Sequence, residues 1–297
     1  MFHIKGPTFE KLIYGFLSCI SEVLYSTFVD GFRERATMAR AVQQGKLFTE
    51  FPYCMYATDV TFQQTNRPSG NIQEAKLYFS GKHKLYAYKT EVSVGPRGYA
   101  VNCTLHKPGS VADIDIFYGN QTFHRHATEK TESDADLQLD GSPFDHSENE
   151  WGILADKGYQ GSAQLLRVIH PKKKPPRGSL SDSDKEFNRK VSSDRIIVEN
   201  FFGRMCNLWG LMSHKYRWNE DRYDLFFSAC VALTNVHVRY NPLRSSDSDF
   251  YSTVSNRMHA IGVETSRKRK QAQDFYVDRR SLRLSVGFSE MLDSDEE

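Results

Sequence analysis

Residues 192–209 read SSDRIIVENFFGRMCNLW, and the fold turns on how this stretch is placed. Val198, Phe201, Phe202 and Met205 recur at i, i+3, i+4 and i+7, the spacing of one buried helical face. Ser192, Ser193 and Asp194 are short polar residues that can accept hydrogen bonds from the first free N–H groups of a helix, so the helix is expected to open there. Glu199 lies beside the apolar face, with Arg195 one turn before it and the small Gly203 one turn after. A carboxylate among bulky apolar residues is costly to bury unless a cation meets it. Glu199 therefore reads either as an acid paired with Arg195 or as a metal ligand.

The 297 residues suffice for one large domain or two small ones. An apolar content of 39% and an aromatic content of 13% exclude a disordered chain. The net charge of +2 excludes a polybasic binder, so any nucleic-acid contact must come from local patches. Five cysteines with no C-x-x-C pair exclude a disulfide framework and a zinc ribbon, and fit a reducing compartment. Residues 12–21 are uncharged but bracketed by Glu10, Lys11 and Glu22. That run is short of the roughly 18 apolar residues of a spanning helix, and no cleavage site follows a basic start. A soluble intracellular protein with no membrane contact is expected.

Outward from the pivotal stretch, the chain divides into a prefix, a central domain and a tail. Residues 1–50 form a helical prefix: Phe9, Leu12, Ile13, Phe16, Leu17, Ile20, Leu24 and Phe28 keep a helical period, Asp30 and Gly31 stop it, and a more polar helix covers 32–44. The central domain, 51–243, opens with a strand over 53–62 that carries Asp59 near its end. A loop follows over 63–81. Strands over 85–94 and 99–106 are joined by the turn GPRG at 95–98, and a helix covers 111–118. Residues 128–150 are acidic, Ser-rich and aperiodic, and read as a flexible insertion. A short strand over 151–155 ends at Asp156, a loop fills 170–190, and a last strong helix covers 223–239. From 244 to 297 polar residues dominate, and a loosely ordered tail is expected.

Two strands each ending on an aspartate, followed by a helix that presents a glutamate, can bring three carboxylates together. Such a set can hold two hard divalent ions, which favour oxygen ligands. A pair of ions of this kind polarises a phosphodiester and generates a hydroxide nucleophile. The blocks YATDVTFQQTNRPSG, KLYFSGKHKLYAYKTEVSV, HKPGSVADIDIF, LADKGYQG, KKKPPRG and DRIIVENFFGRMCNLWGLM occur in this order. They resemble the DDE-superfamily endonuclease domain of PIF/Harbinger-type transposases over about 53–240, most specifically in DKGY and VENFFGR. The resemblance implies an α/β fold, a ribonuclease-H-like mixed sheet flanked by helices, cutting DNA with Mg²⁺ or Mn²⁺. Carried across residue by residue, the acids are Asp59, Asp156 and Glu199. A non-cleaving, transposase-derived DNA- or protein-binding protein is the alternative. No helix-turn-helix is legible in the prefix, so a separate DNA-recognition protein is an expected partner, and a homo-oligomer is left open.

Basic residues near these elements are candidate phosphate contacts: Lys82 and Lys84 before the second strand, Lys157 after Asp156, and Lys172, Lys173, Lys174 and Arg177 in the loop before the pivotal helix. A solvated charged loop is the plainer reading of each. Asp113 and Asp115 at the start of a helix read as carboxylates favoured by its dipole. The run Arg267, Lys268, Arg269, Lys270 has the composition of a nuclear-import signal.

Overall fold

The computed structural model describes residues 5–134, 137, 139, 149–162 and 165–294. Most of the expected insertion at 128–150 lies outside the described residues. The sheet is built around β1 (Cys54–Gln64), whose β-branched and aromatic residues suit a pleated surface. β3 (Leu85–Val94) pairs antiparallel with β1, and β4 (Ala100–Cys103) antiparallel with β3. On the other side of β1, β6 (Gly152–Leu154) and β7 (Val168–Ile169) run parallel to it. β2 (Phe79–Ser80) and β5 (Lys107–Pro108) add short pairings to β3. The order β4-β3-β1-β6-β7, three strands antiparallel and two parallel, is consistent with the ribonuclease-H-like fold.

Both faces of the sheet are covered, which is why β6 is apolar throughout and fully buried. One face carries α7 (Asp182–Leu208) and α9 (Tyr223–Tyr240), packed on Ala57, Val92, Val94 and Leu154. The other carries α5 (Asp113–Gly119) and α6 (Gln121–Thr128), packed on Tyr56, Val101 and Ile153. Val198, Phe201, Phe202 and Met205 are all buried, as their spacing predicts.

α7 begins earlier than expected. Ser181 caps it by accepting from the Asp184 N–H, so the end of the expected loop 170–190 is helical. Asp194 is consequently no cap. It lies buried in mid-helix and accepts from the backbone N–H groups of Thr49 (3.3 Å), Glu50 (2.8 Å) and Phe51 (2.9 Å), tying the entry to β1 onto α7. The expected loop 63–81 likewise contains α4 (Ile72–Tyr78), capped by Asn71, and then β2. Asp59 sits in the middle of β1 rather than near its end, because the strand runs on to Gln64.

The expectation of a loosely ordered tail is corrected over Asp247–Ser294, which is one helix, α10. Val254, Met258 and Gly262, four residues apart, supply a docking stripe too sparse to read as amphipathic periodicity. Gly203 is required where α10 starts, since a Cβ there would overlap the Asp247 carbonyl. The neighbouring Arg204 donates to both Asp247 carboxylate oxygens (3.1 and 2.7 Å) and to the carbonyls of Asn241 and Pro242.

In the prefix, α1 (Gly6–Tyr25) continues through a π-helical stretch, Ser26–Asp30, into α2 (Gly31–Arg33). The expected stop at Asp30 and Gly31 is absent. The break falls instead at 34–37, before α3 (Met38–Gln43). By length and composition the continuous helix Gly6–Arg33 is long and apolar enough to cross a membrane, which corrects the count made on 12–21 alone. Phe9, Leu12, Phe16 and Val23 are exposed on it. Its inner side packs on α9, where Arg222 meets Glu10 at 2.7 Å. Asn235 of α9 holds the prefix to the sheet, donating to the Phe28 and Ala100 carbonyls and accepting from the Ala100 N–H. The short α8 (Gly210–Ser213) joins α7 to the loop leading into α9.

Replacing Asp194 by alanine strands three N–H donors, one of them fully buried, and is expected to destabilise the fold by about 2–3 kcal/mol in denaturant unfolding. A second pin is His106, whose Nδ1 and Nε2 face Asp224 (2.9 Å) and Glu220 (3.0 Å). Burial works against the imidazolium, but the bonds and charges of the two carboxylates outweigh it and raise the His106 pKa above its ordinary 6.5. A raised folded pKa means that this stabilisation is complete below the unfolded value and is lost as pH rises through the folded one. The melting temperature of His106→Gln should thus fall below that of the native chain at about pH 6, and the gap should close at about pH 9. An equal gap at both would show that His106 stabilises by packing alone.

Candidate active site

The parallel register of β1 and β6 pairs Ala57 with Leu154. Two residues further along each strand stand Asp59 and Asp156, so the register itself sets these two acids side by side. Asp156 lies two residues past the end of β6, after Ala155, and precedes the 3-10 turn Lys157–Tyr159. Glu199 comes from α7, which crosses this face of the sheet. Three elements distant in sequence therefore deliver the three predicted acids to one place.

Arg195 occupies the middle of that place. Its guanidinium bonds Asp59 Oδ2 through Nη1 at 2.9 Å and Glu199 Oε1 through Nη2 at 2.6 Å, and Nη2 lies 3.9 Å from Asp156 Oδ1. The Arg195 side chain is 13% exposed, against 22% for Asp59 and 37% for Asp156. Glu199 pairs with Arg195 one turn earlier on the same helix, so the plainer of its two sequence readings describes its present contact. Three carboxylates around one guanidinium leave two formal negative charges uncompensated when all are ionised.

The electrostatics of the cluster follow from this imbalance. Burial pushes the Asp59 carboxyl up to about 6; Arg195 and the Val60 N–H pull it down, while Asp156 and Asp113 push it up. For Arg195, burial lowers the pKa, but the charges of Asp59, Glu199 and Asp156 outweigh that and raise it. Asp113 stands in the first turn of α5, as its helix-start reading predicts, and is paired with Lys89 at 2.9 Å.

Three oxygen donors on rigid elements are chemically suited to a hard divalent ion. As they stand, however, they are gathered around the guanidinium, and among the described residues no three His, Cys, Asp or Glu side chains are close enough together to hold an ion. The donor set fits; its present geometry is that of an arginine-filled site.

The candidate phosphate contacts fall in different places. Lys157 is exposed next to Asp156. Lys173, Lys174 and Arg177 are exposed beyond β7, whereas Lys172 bonds Asp184 at 2.6 Å and lies over the Phe187 ring. Lys82 and Lys84 sit in the turn before β3. Asp59 pairs with Val92, seven residues beyond Leu85, so that turn is about 24 Å away along the strand and is no edge of the acid site.

Sequence reading missed a buried network behind the sheet. Glu91 and His124 are inaccessible to solvent and 3.0 Å apart, and His124 also meets the Tyr56 hydroxyl at 3.0 Å, while Asn120 donates to Glu91 at 2.8 Å. The available signal was an acid inside a strand covered on both faces. Arg195 was noted only as a partner for Glu199; nothing in its helical spacing points to β1.

Residues 58–235 match the DDE superfamily endonuclease family, and the chain belongs to that family. It is also similar to the probable transposase for insertion sequence element IS702 of Microchaete diplosiphon, with 27% identity over 181 residues, 61% of this chain and 56% of that protein. The chain thus spans little more than half the length of that relative. No solved structure matches the chain.

The guanidinium predicts a trade with divalent ions. In EDTA, Arg195→Gln should lose about 3 kcal/mol of stability, because three acids then face one another without a cation. Added Mn²⁺ should raise the melting temperature of Arg195→Gln by more than that of the native chain. Equal Mn²⁺ shifts would show that the guanidinium and the ion do not compete.

Proposed function

We propose that the chain is a divalent-metal-dependent DNA endonuclease of the transposase class, of the PIF/Harbinger type, with Asp59, Asp156 and Glu199 as metal ligands and catalytic residues. The observation that carries this reading is the meeting of these three acids, from β1, the end of β6 and α7, with two negative charges in excess. Family membership supports a nuclease that acts on DNA. The VENFFGR and DKGY blocks support the subtype.

Two bound Mg²⁺ or Mn²⁺ ions would supply polarisation of the phosphodiester and an activated water. The chain's own residues would do the rest. Asp59 and Asp156, fixed by strand register, would share the ions, and Glu199 would close the set from the helix. The raised Asp59 pKa makes the site fully anionic only above about pH 6. Arg195, on the opposite sign, would release the acids and remain near the scissile phosphate as a donor. Lys157 would flank the strand beside Asp156, with Lys173, Lys174 and Arg177 on the exposed loop beyond β7. Action in the nucleus, with import through Arg267–Lys270, belongs to the same proposal.

Supercoiled plasmid incubated with the chain in Mn²⁺ tests the reading. The native chain should nick; Asp59→Ala, Asp156→Ala and Glu199→Ala should not, and EDTA should stop the reaction. Calorimetric Mn²⁺ binding, lost in the same variants, gives a readout independent of cleavage. A native chain that neither nicks nor binds Mn²⁺ would overturn the nuclease reading in favour of the non-cleaving alternative.

A further inference from the structure

A cleft of about 420 Å³ lies between the prefix and the sheet, at the end of β1 where the strand begins. Five cations line it from five separate segments: Arg35 from the turn after α2, Arg40 from α3, Lys46 from the loop that follows, Arg97 from the β3–β4 turn and Arg239 from the end of α9. All five are exposed, and among the described residues no carboxylate lines the cleft. None of the five forms an ion pair among the described residues. That is unusual in a chain with nearly equal numbers of acids and bases, since like charges held together without counterions repel.

The cleft also has a built wall. Phe32 and Tyr99 stack with centroids 4.3 Å apart and planes 14° apart. Arg35 lies over the Phe32 ring at 5.1 Å and Arg97 over the Tyr99 ring at 5.4 Å. Two guanidiniums thus rest on aromatic faces, which position them without consuming their N–H donors. The turn that presents Arg97 is fixed by Gly98, at φ +81°, where a side chain would also run into Leu243.

We propose that this cleft binds the phosphodiester backbone of nucleic acid, as a contact separate from the carboxylate site. Clustered guanidiniums with free planar forks suit phosphate oxygens. Such contacts fix a duplex in position without reading its sequence. Met55 lines the cleft and Asp59 is four residues further along β1, about 13 Å away. The inference rests on the reading that the chain acts on DNA, but not on its cutting DNA.

The test is fluorescence anisotropy of a labelled 20-base-pair duplex with the full chain in EDTA, across a salt series. It compares the native chain, Arg35→Ala/Arg97→Ala, Arg239→Ala, and Lys185→Ala as a surface-charge control. The double variant should bind about tenfold more weakly with a salt slope lower by about 2, and Arg239→Ala with a slope lower by about 1. Lys185→Ala should match the native chain. Thermal melts check that the variants fold.

Native affinity and slope in the cleft variants would overturn the cleft while leaving the nuclease reading standing. Cleft-dependent binding by a chain that nicks nothing in Mn²⁺ would support the cleft and count against the nuclease alone. Saturable binding of a mononucleotide or inorganic phosphate, with no binding of duplex, would overturn the backbone assignment. So would failure to bind any of them.

Discussion

The buried guanidinium of Arg195 is the interaction on which the rest depends. Three acids drawn from β1, the end of β6 and α7 repel one another, and in a partly desiccated cleft that repulsion is far stronger than in water. The fold nonetheless brings them together, because Arg195 bonds two of them and approaches the third. Removing one partner of such a group is costly, since it leaves uncompensated charge out of water. The same charge excess that makes Arg195 necessary to the metal-free fold also makes the site attractive to a divalent cation. Stability without the ion and affinity for it pull against each other at one residue.

α7 shows how much one helix can be asked to do within seven residues. Val198, Phe201 and Phe202 enter the core, and Glu199 turns toward the sheet face that carries the aspartates. Asn200 accepts from the Ser248 N–H at 3.1 Å, Gly203 leaves room for the start of α10, and Arg204 fastens it. Each neighbour faces a different direction around the helix, as a rotation of 100° per residue requires. The block VENFFGR is thus a joint between site, core and C-terminal helix. The bond from Asp194 to 49–51 extends that joint to the entry of β1.

What the sequence made legible follows local rules. The helical period of 198–205, the aromatic and β-branched residues around Asp59 and the GPRG turn each state their own conformation. β3 and α9 fall within a residue of where the pattern puts them. The misplaced features depend on partners elsewhere. Asp194 looked like a cap because local pattern cannot show that three N–H groups from 49–51 arrive at it. α10 looked like a loose tail because its inner stripe is only about one residue per turn, from Tyr251 against Phe202 to Gly262 against the His83 carbonyl, and is invisible as periodicity. The convergence of the acids was expected from family resemblance; the two-residue extension of the β1–β6 register that sets the aspartates side by side became visible only once the strands were paired.

The near-neutral composition conceals a separation of charge. With 39 basic and 37 acidic residues the chain has almost no net field to steer a polyanion. Any such steering falls to local fields. Around Asp59 three acids surround a single arginine, and Met55, about 13 Å back along the strand, lines a cleft where five cations meet no acid among the described residues. A phosphate approaching the acids alone would be repelled until cations neutralise them. A backbone meeting the basic cleft would instead be attracted. The antiparallel pairing of β1 with β3 fixes this arrangement, because it sets the 95–98 turn beside the beginning of β1 and leaves Asp59 opposite Val92. Strand register therefore fixes both the contents of the acid site and its spacing from the basic cleft.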